Sequence, residues 1–231
     1  MARSCQPGTD DQQQPEGEGL GWDVPGHAKL PGALLVAVMA VAWIAHIHSG
    51  GMAGWGVSGA AIAGGRFRTI FLHMFAHGGA VHIAMNGFAL FALSGPLVAR
   101  MGTPPLGWLR YLALFLMSGL AGMTCYVAIH PSGTVPMLGA SGAIYGLLGA
   151  LIRLPPEGEM LMPIRSERTK AIIIDLVKSN ALLFALFAIP PLLLGQSGGL
   201  AWEAHLGGFL FGLMVGPWFV PGTTATRGCP D

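Results

Sequence analysis

The sequence predicts an all-α fold: a polytopic membrane protein, a six-transmembrane-helix bundle with a membrane-embedded interfacial first loop. Three observations carry this expectation. Of the 231 residues, 52% are hydrophobic and only 10% are charged, where soluble domains run near a quarter charged. Six apolar runs approach the ~20 residues a helix needs to cross a hydrocarbon core about 30 Å thick. Glycine is very common, at 36 residues, and in the fourth and sixth runs it recurs at helical spacing, which lets helix backbones approach closely in lipid.

Taken in order, residues 1–28 read as a disordered cytoplasmic tail. They carry Gln12-Gln13-Gln14 with several Gly, Pro and acidic residues, and they lack the apolar segment of a cleavable signal peptide. Residues 29–221 read as the membrane domain, and 222–231 as a short cytoplasmic tail. The runs are Leu30 to Ile47, Ala80 to Val98, Leu106 to Ile129, Leu138 to Leu154, Ala171 to Leu194 and Leu200 to Val220. The fourth is short and begins at a serine. The fifth closes at Pro190-Pro191. Between the first two runs, His48 to Gly79 is apolar without being long enough to span. It reads as short amphipathic helices lying in the outer leaflet.

Loop charge sets the orientation. With the N-terminus in the cytoplasm, Arg3, Lys29, Arg100, Arg110, Arg153, Arg165, Arg168, Lys170, Lys178 and Arg227 all fall inside. Of the 12 basic residues, only Arg66 and Arg68 then face outward. Both termini are expected to be cytoplasmic, in a multi-pass protein of the cell (inner) membrane. The net charge of +1 suggests no nucleic-acid partner. Cys5, Cys125 and Cys229 are too far apart for a disulfide framework or a zinc spacing.

Two stretches carry chemistry. Leu138-Gly139-Ala140-Ser141-Gly142 places a serine at the head of the fourth run. Glu203-Ala204-His205-Leu206-Gly207-Gly208 places a histidine at the head of the sixth. An imidazole in a membrane span is costly unless paired. Serine and histidine are the minimum for a nucleophile with its general base. Both lie just below the outer surface in the orientation above. Ser141, Tyr145 and Gly149 share one helix face, and His205, Gly208, Gly212 and Gly216 share another. A second constellation is His73, His77, His82 and Asn86. No HExxH and no nearby acid support a metal there, and neither metal nor cofactor is expected. His73 and His77 read as buried imidazoles bonded to loop carbonyls. His82 and Asn86 read as donors suited to stabilising an oxyanion. Glu203, two residues before His205, reads as a solvated rim residue pointing away. His27, His46, His48 and His130 read as interfacial.

On Gly139-Ala140-Ser141-Gly142, Ala204-His205-Leu206-Gly207-Gly208 with Gly212, and the spacing of His73, His77, His82 and Asn86, the chain resembles the rhomboid intramembrane serine proteases. Arg68 resembles the arginine of that family's first-loop Trp-Arg pair, with Phe67 standing where tryptophan is usual. The resemblance covers residues 30 to 220 and implies the bacterial, six-span form. It implies that Ser141 is the nucleophile and His205 the base, without an aspartate. It implies that Tyr145 packs on the imidazole. It implies an oxyanion hole of His82, Asn86 and the Ser141 backbone N–H, and close approach of spans four and six at Gly208. The activity so implied is endopeptidase cleavage of single-span transmembrane proteins near the outer face of the bilayer. Substrate entry is expected between spans two and five. A non-catalytic relative that grips transmembrane clients is the alternative, disfavoured because serine, histidine and the oxyanion donors are all present. The oligomeric state is not legible.

Overall fold

The computed structural model describes residues 24–154, 161–187, 189, 193 and 200–222. Its regular elements, among the described residues, are helices. They are α1 (Gly26–His48), α2 (Gly51–Trp55), α3 (Gly59–Ala63), α4 (Thr69–Leu72), α5 (Ala80–Arg100), α6 (Leu106–Ile129), α7 (Ser141–Ile152), α8 (Glu167–Phe187) and α9 (Trp202–Val215), the last continued by a 3₁₀ turn at Gly216–Phe219. One isolated antiparallel bridge pairs Val57 with Met137.

Three of these helices, α1, α5 and α6, are long and apolar enough to cross a membrane. Their outward faces are greasy: Val41 is 68% exposed, Phe88 78% and Leu109 59%. Water would penalise such a surface, whereas hydrocarbon solvates it. The six runs of the sequence therefore meet three full-length apolar helices and three elements of different character. Helix α7 has only 12 residues because it is the inner element: Gly142, Ala143, Ile144, Gly146, Leu147, Gly149, Ala150 and Ile152 are all buried. Helix α8 starts at Glu167 rather than at Ala171, since Ser166 Oγ accepts the Thr169 N–H at 3.2 Å and caps the first turn. Its charges, from Glu167 to Lys178, dilute its hydropathy. Pro190 and Pro191 lie outside the described residues, as do most of the two expected tails. Helix α1 begins at Gly26, inside the expected tail of residues 1–28.

Glycine explains how a bundle this tight forms. A Cβ at Gly208 would stand 1.9 Å from the Gly142 carbonyl oxygen, and one at Gly212 would stand 1.8 Å from that of Gly146. A Cβ at Gly122 would stand 2.6 Å from the Ala204 carbonyl oxygen. Helices α6, α7 and α9 therefore touch backbone to backbone. Only glycine permits that approach, and dispersion contacts accumulate along the whole seam.

The interfacial loop folds as short helices. Arg66 Nη1 donates to the Ala53 carbonyl oxygen at 2.6 Å. Trp43 Nε1 on α1 donates to the His77 carbonyl oxygen at 3.1 Å. The Val57–Met137 bridge and the Gly139 N–H bond to the His73 carbonyl oxygen, at 2.8 Å, tie the loop to the strand-like segment before α7. That segment aims Ser141. Phe67 and Arg68 are both exposed.

Candidate active site

Ser141 opens α7 and is not spent as a helix cap. Ala140 takes the N-cap position, and the cap makes no side-chain hydrogen bond. The hydroxyl is therefore free for another partner. His205 lies in the first turn of α9, and its Nε2 stands 2.8 Å from Ser141 Oγ. The two are 64 residues apart in sequence and meet because glycines press α7 against α9.

The imidazole is 7% exposed. Its Nδ1 is buried and has no hydrogen-bond partner among the described residues. With Nε2 accepting the serine proton, the neutral ring must carry its own proton on Nδ1. Among the described residues, no carboxylate reaches that end. The Tyr145 ring stacks on His205 with centroids 4.3 Å apart and planes 7° apart. The Tyr145 hydroxyl donates to Asn180 Oδ1 on α8 at 2.5 Å.

His82 approaches from the start of α5. The Gly78 N–H donates to its Nδ1 at 3.3 Å, so the proton of the neutral ring sits on Nε2. That nitrogen faces Gly139. A Cβ built on Gly139 would lie 2.8 Å from His82 Nε2 and 3.8 Å from Ser141 Oγ. Gly139 also has φ +119°, in the region where only glycine is unstrained. One glycine thus serves both the turn into α7 and the seat of the His82 ring. Asn86 is buried, and its Nδ2 donates to the His82 carbonyl oxygen one turn back at 2.9 Å. His82 lines a cavity of about 550 Å³ with Ser141 and His205, and Asn86 and Tyr145 are not among its lining residues.

His73 and His77 are each 1% exposed. Their Nδ1–H groups donate to the carbonyl oxygens of Thr69 (3.1 Å) and Phe75 (3.3 Å). Burial pushes both rings down to about 4, so they are neutral at pH 7 and act as pins for the loop. Among the described residues, no three His, Cys, Asp or Glu side chains group so as to hold a metal.

Two readings of the sequence are corrected. Glu203 is not a solvated rim residue: it is 6% exposed and its Oε1 accepts a hydrogen bond from His130 Nε2 at 2.7 Å. Helix α9 starts only one residue earlier, at Trp202, so Glu203 faces the end of α6 rather than solvent. His46, expected at the interface, is 4% exposed and meets Trp55 edge-on. Asn180 was not singled out from the sequence. Its only signal was an uncapped amide inside an apolar run, a pattern that asks for a partner in lipid.

A family model described as the rhomboid domain matches residues 64–222. The presenilin-associated rhomboid-like protein A, mitochondrial, of Danio rerio is 32% identical over 161 residues, 64% of this chain and 36% of that protein. The rhomboid protease GluP of Bacillus subtilis is 32% identical over 116 residues, 50% of this chain and 21% of that protein. Rhomboid protein 1, mitochondrial, of Saccharomyces cerevisiae is 29% identical over 153 residues, 63% and 40% of the two chains. The chain therefore spans no more than 40% of the length of these relatives.

Proposed function

The chain belongs to the rhomboid family of integral membrane proteins, and from that premise we propose that it is an intramembrane serine endopeptidase. The observation that carries this reading is the 2.8 Å approach of His205 Nε2 to Ser141 Oγ inside a cavity shared with His82.

In this reading Ser141 Oγ attacks a substrate carbonyl while His205 Nε2 takes its proton. The tetrahedral oxyanion meets three kinds of donor. His82 offers Nε2–H, the tautomer that Gly78 selects. The N-terminus of α7 offers the N–H groups of Ser141, Gly142 and Ala143, since the first N–H with an intrahelical partner is that of Ile144 (to Ala140, 3.0 Å). Asn86 contributes from behind by holding the His82 backbone, and its amide is a further donor if its side chain turns toward the cavity. The intermediate collapses to an acyl-enzyme as His205 returns its proton to the leaving amine. A water, deprotonated by the same imidazole, then hydrolyses the ester. Without a carboxylate at Nδ1, the imidazolium leans on the Tyr145 ring, and turnover should be slow. Gly208 contributes by letting α9 reach α7.

The proposal extends to topology and substrate. The six apolar runs span the inner membrane with both termini in the cytoplasm, and the dyad faces outward. The substrates are single-span transmembrane proteins. They are cut near the outer interface, where a helix opens at lower cost than in the hydrocarbon centre.

One experiment tests these points together. A membrane-impermeant fluorophosphonate is added to sealed, right-side-out vesicles containing the protein and a single-span model substrate. The expected outcome is labelling of the wild type, none of Ser141→Ala, and substrate cleavage that disappears with either treatment. Absence of labelling in detergent would end the serine-protease reading. Labelling only after the vesicles are opened would reverse the orientation and leave the chemistry intact.

A further inference from the structure

Helix α8 meets the bundle along one stripe. Thr169, Ile172, Ile173, Leu176 and Asn180 are its buried or half-buried positions from the first turn onward, and Ala181, Leu182 and Ala185 after them are exposed. Ile172, Ile173 and Leu176 pack on Ile152, Phe209 and Leu213. Asn180 is the outermost member of the stripe among the described residues, and it is polar. An amide on a helix in lipid is costly unless both of its ends are satisfied. Here both are. Nδ2 donates to the Leu176 carbonyl oxygen at 2.8 Å, which fixes the side chain against its own helix. Oδ1 is thereby turned to the Tyr145 hydroxyl, at 2.5 Å.

The other end of Tyr145 is its ring, lying flat on His205. The imidazole has Ser141 at Nε2 and nothing at Nδ1 among the described residues. A ring held at one nitrogen can still rotate about that bond. The stack with Tyr145 stops that rotation, and a phenol ring itself stays put only if its far end is anchored. We propose that Asn180 is a positioning residue for the dyad: it anchors the Tyr145 hydroxyl and so fixes the plane of the His205 ring. This rests on the Ser141–His205 reading above. It makes the geometry of the dyad depend on where α8 stands, a helix whose other contacts to the bundle, among the described residues, are the apolar ones of Ile172, Ile173 and Leu176.

The test uses the full chain in bilayers and a small fluorophosphonate, whose reaction with Ser141 needs no transmembrane substrate. Tyr145→Phe keeps the stack and removes only the hydroxyl. Asn180→Leu removes the acceptor and suits a lipid-exposed helix, so both variants are expected to fold. Each should slow labelling about three- to tenfold, the worth of one intramembrane hydrogen bond. The double variant should be no slower than the slower single, because both substitutions break one link. Against a transmembrane substrate, kcat should fall by the same factor with KM unchanged, and Asn180→Gln should recover part of the rate.

Labelling of Asn180→Leu at the wild-type rate would overturn the proposal. So would multiplicative effects in the double variant, or a change confined to KM, which would make Asn180 a substrate contact. Each of these leaves the protease reading standing. A wild type that does not label removes both.

Discussion

His130 Nε2 donates to Glu203 Oε1 across 2.7 Å, joining the C-cap of α6 to the first turn of α9, two residues before His205. The pair is lopsided. The Glu203 side chain is 8% exposed and that of His130 is 42% exposed. Removing the histidine strands a buried carboxylate, while removing the charge of the carboxylate leaves a histidine that water can reach. His130→Ala should therefore destabilise the protein more than Glu203→Gln, by about 1–3 kcal/mol for the former. Thermal melting of both variants in detergent checks the order. Equal melting temperatures would show that the pair carries no such asymmetry.

The glycine seam makes a second prediction. Gly208→Ala and Gly212→Ala each drive a methyl into a carbonyl oxygen less than 2 Å away. Backbone cannot yield as a side chain can, so α7 and α9 must separate, at a cost of about 1–3 kcal/mol each. Gly79→Ala is the control, since a Cβ there meets nothing within 4 Å. Melting should fall for the first two and hold for the third. Fluorophosphonate labelling should fall with Gly208→Ala, because the dyad spans the widened seam.

A third prediction separates His82 from Asn86. His82 lines the cavity with a proton on Nε2, while Asn86 is buried and its Nδ2 is spent on the His82 carbonyl oxygen. His82→Ala should lower the cleavage rate by about a hundredfold, the lower end for a lost oxyanion donor. Asn86→Ala should cost less. The measurement is kcat for both variants on one model substrate. The reverse order would make Asn86 the principal donor.

The first loop should loosen in acid. His73 is buried and neutral, with its ring pushed from 6.5 down to about 4 by burial. The unfolded chain therefore takes up a proton before the folded one does. The stability that this neutral ring permits is complete above pH 6.5. It declines as pH falls through the window from 6.5 to about 4. His77, shifted in the same direction, adds to the effect. The melting temperature of the wild type should drop between pH 7 and pH 5 by more than that of His73→Gln. Parallel profiles would remove His73 from the acid response.

Much of the fold is legible along the chain because its causes are local. The run Leu106 to Ile129 coincides with α6, and the short helices of the first loop fall where an apolar but interrupted stretch was noted. A hydrophobic run of spanning length has few alternatives in lipid. At α8 the boundary shifts because a capping serine starts the helix outside the greasy part of the run, whereas α9 starts two residues inside its run. The fourth run reads as short with a serine at its head, and α7 begins at Ser141 and has 12 residues. Hydropathy cannot tell a helix facing lipid from one enclosed by other helices.

By itself, the sequence determined that this is an all-helical membrane protein and that a serine and a histidine head two glycine-lined helices. Those properties depend on composition and on the helical repeat. Only the tertiary structure decided that Ser141 meets His205 at 2.8 Å, that Glu203 turns to His130 and that Asn180 holds Tyr145. The physical reason is reach. Within a helix, a residue's neighbours follow from the 3.6-residue repeat. Between helices, partners are chosen by rotation and rise, which here depend on backbone contacts at Gly142, Gly146, Gly208 and Gly212 and which no single segment encodes.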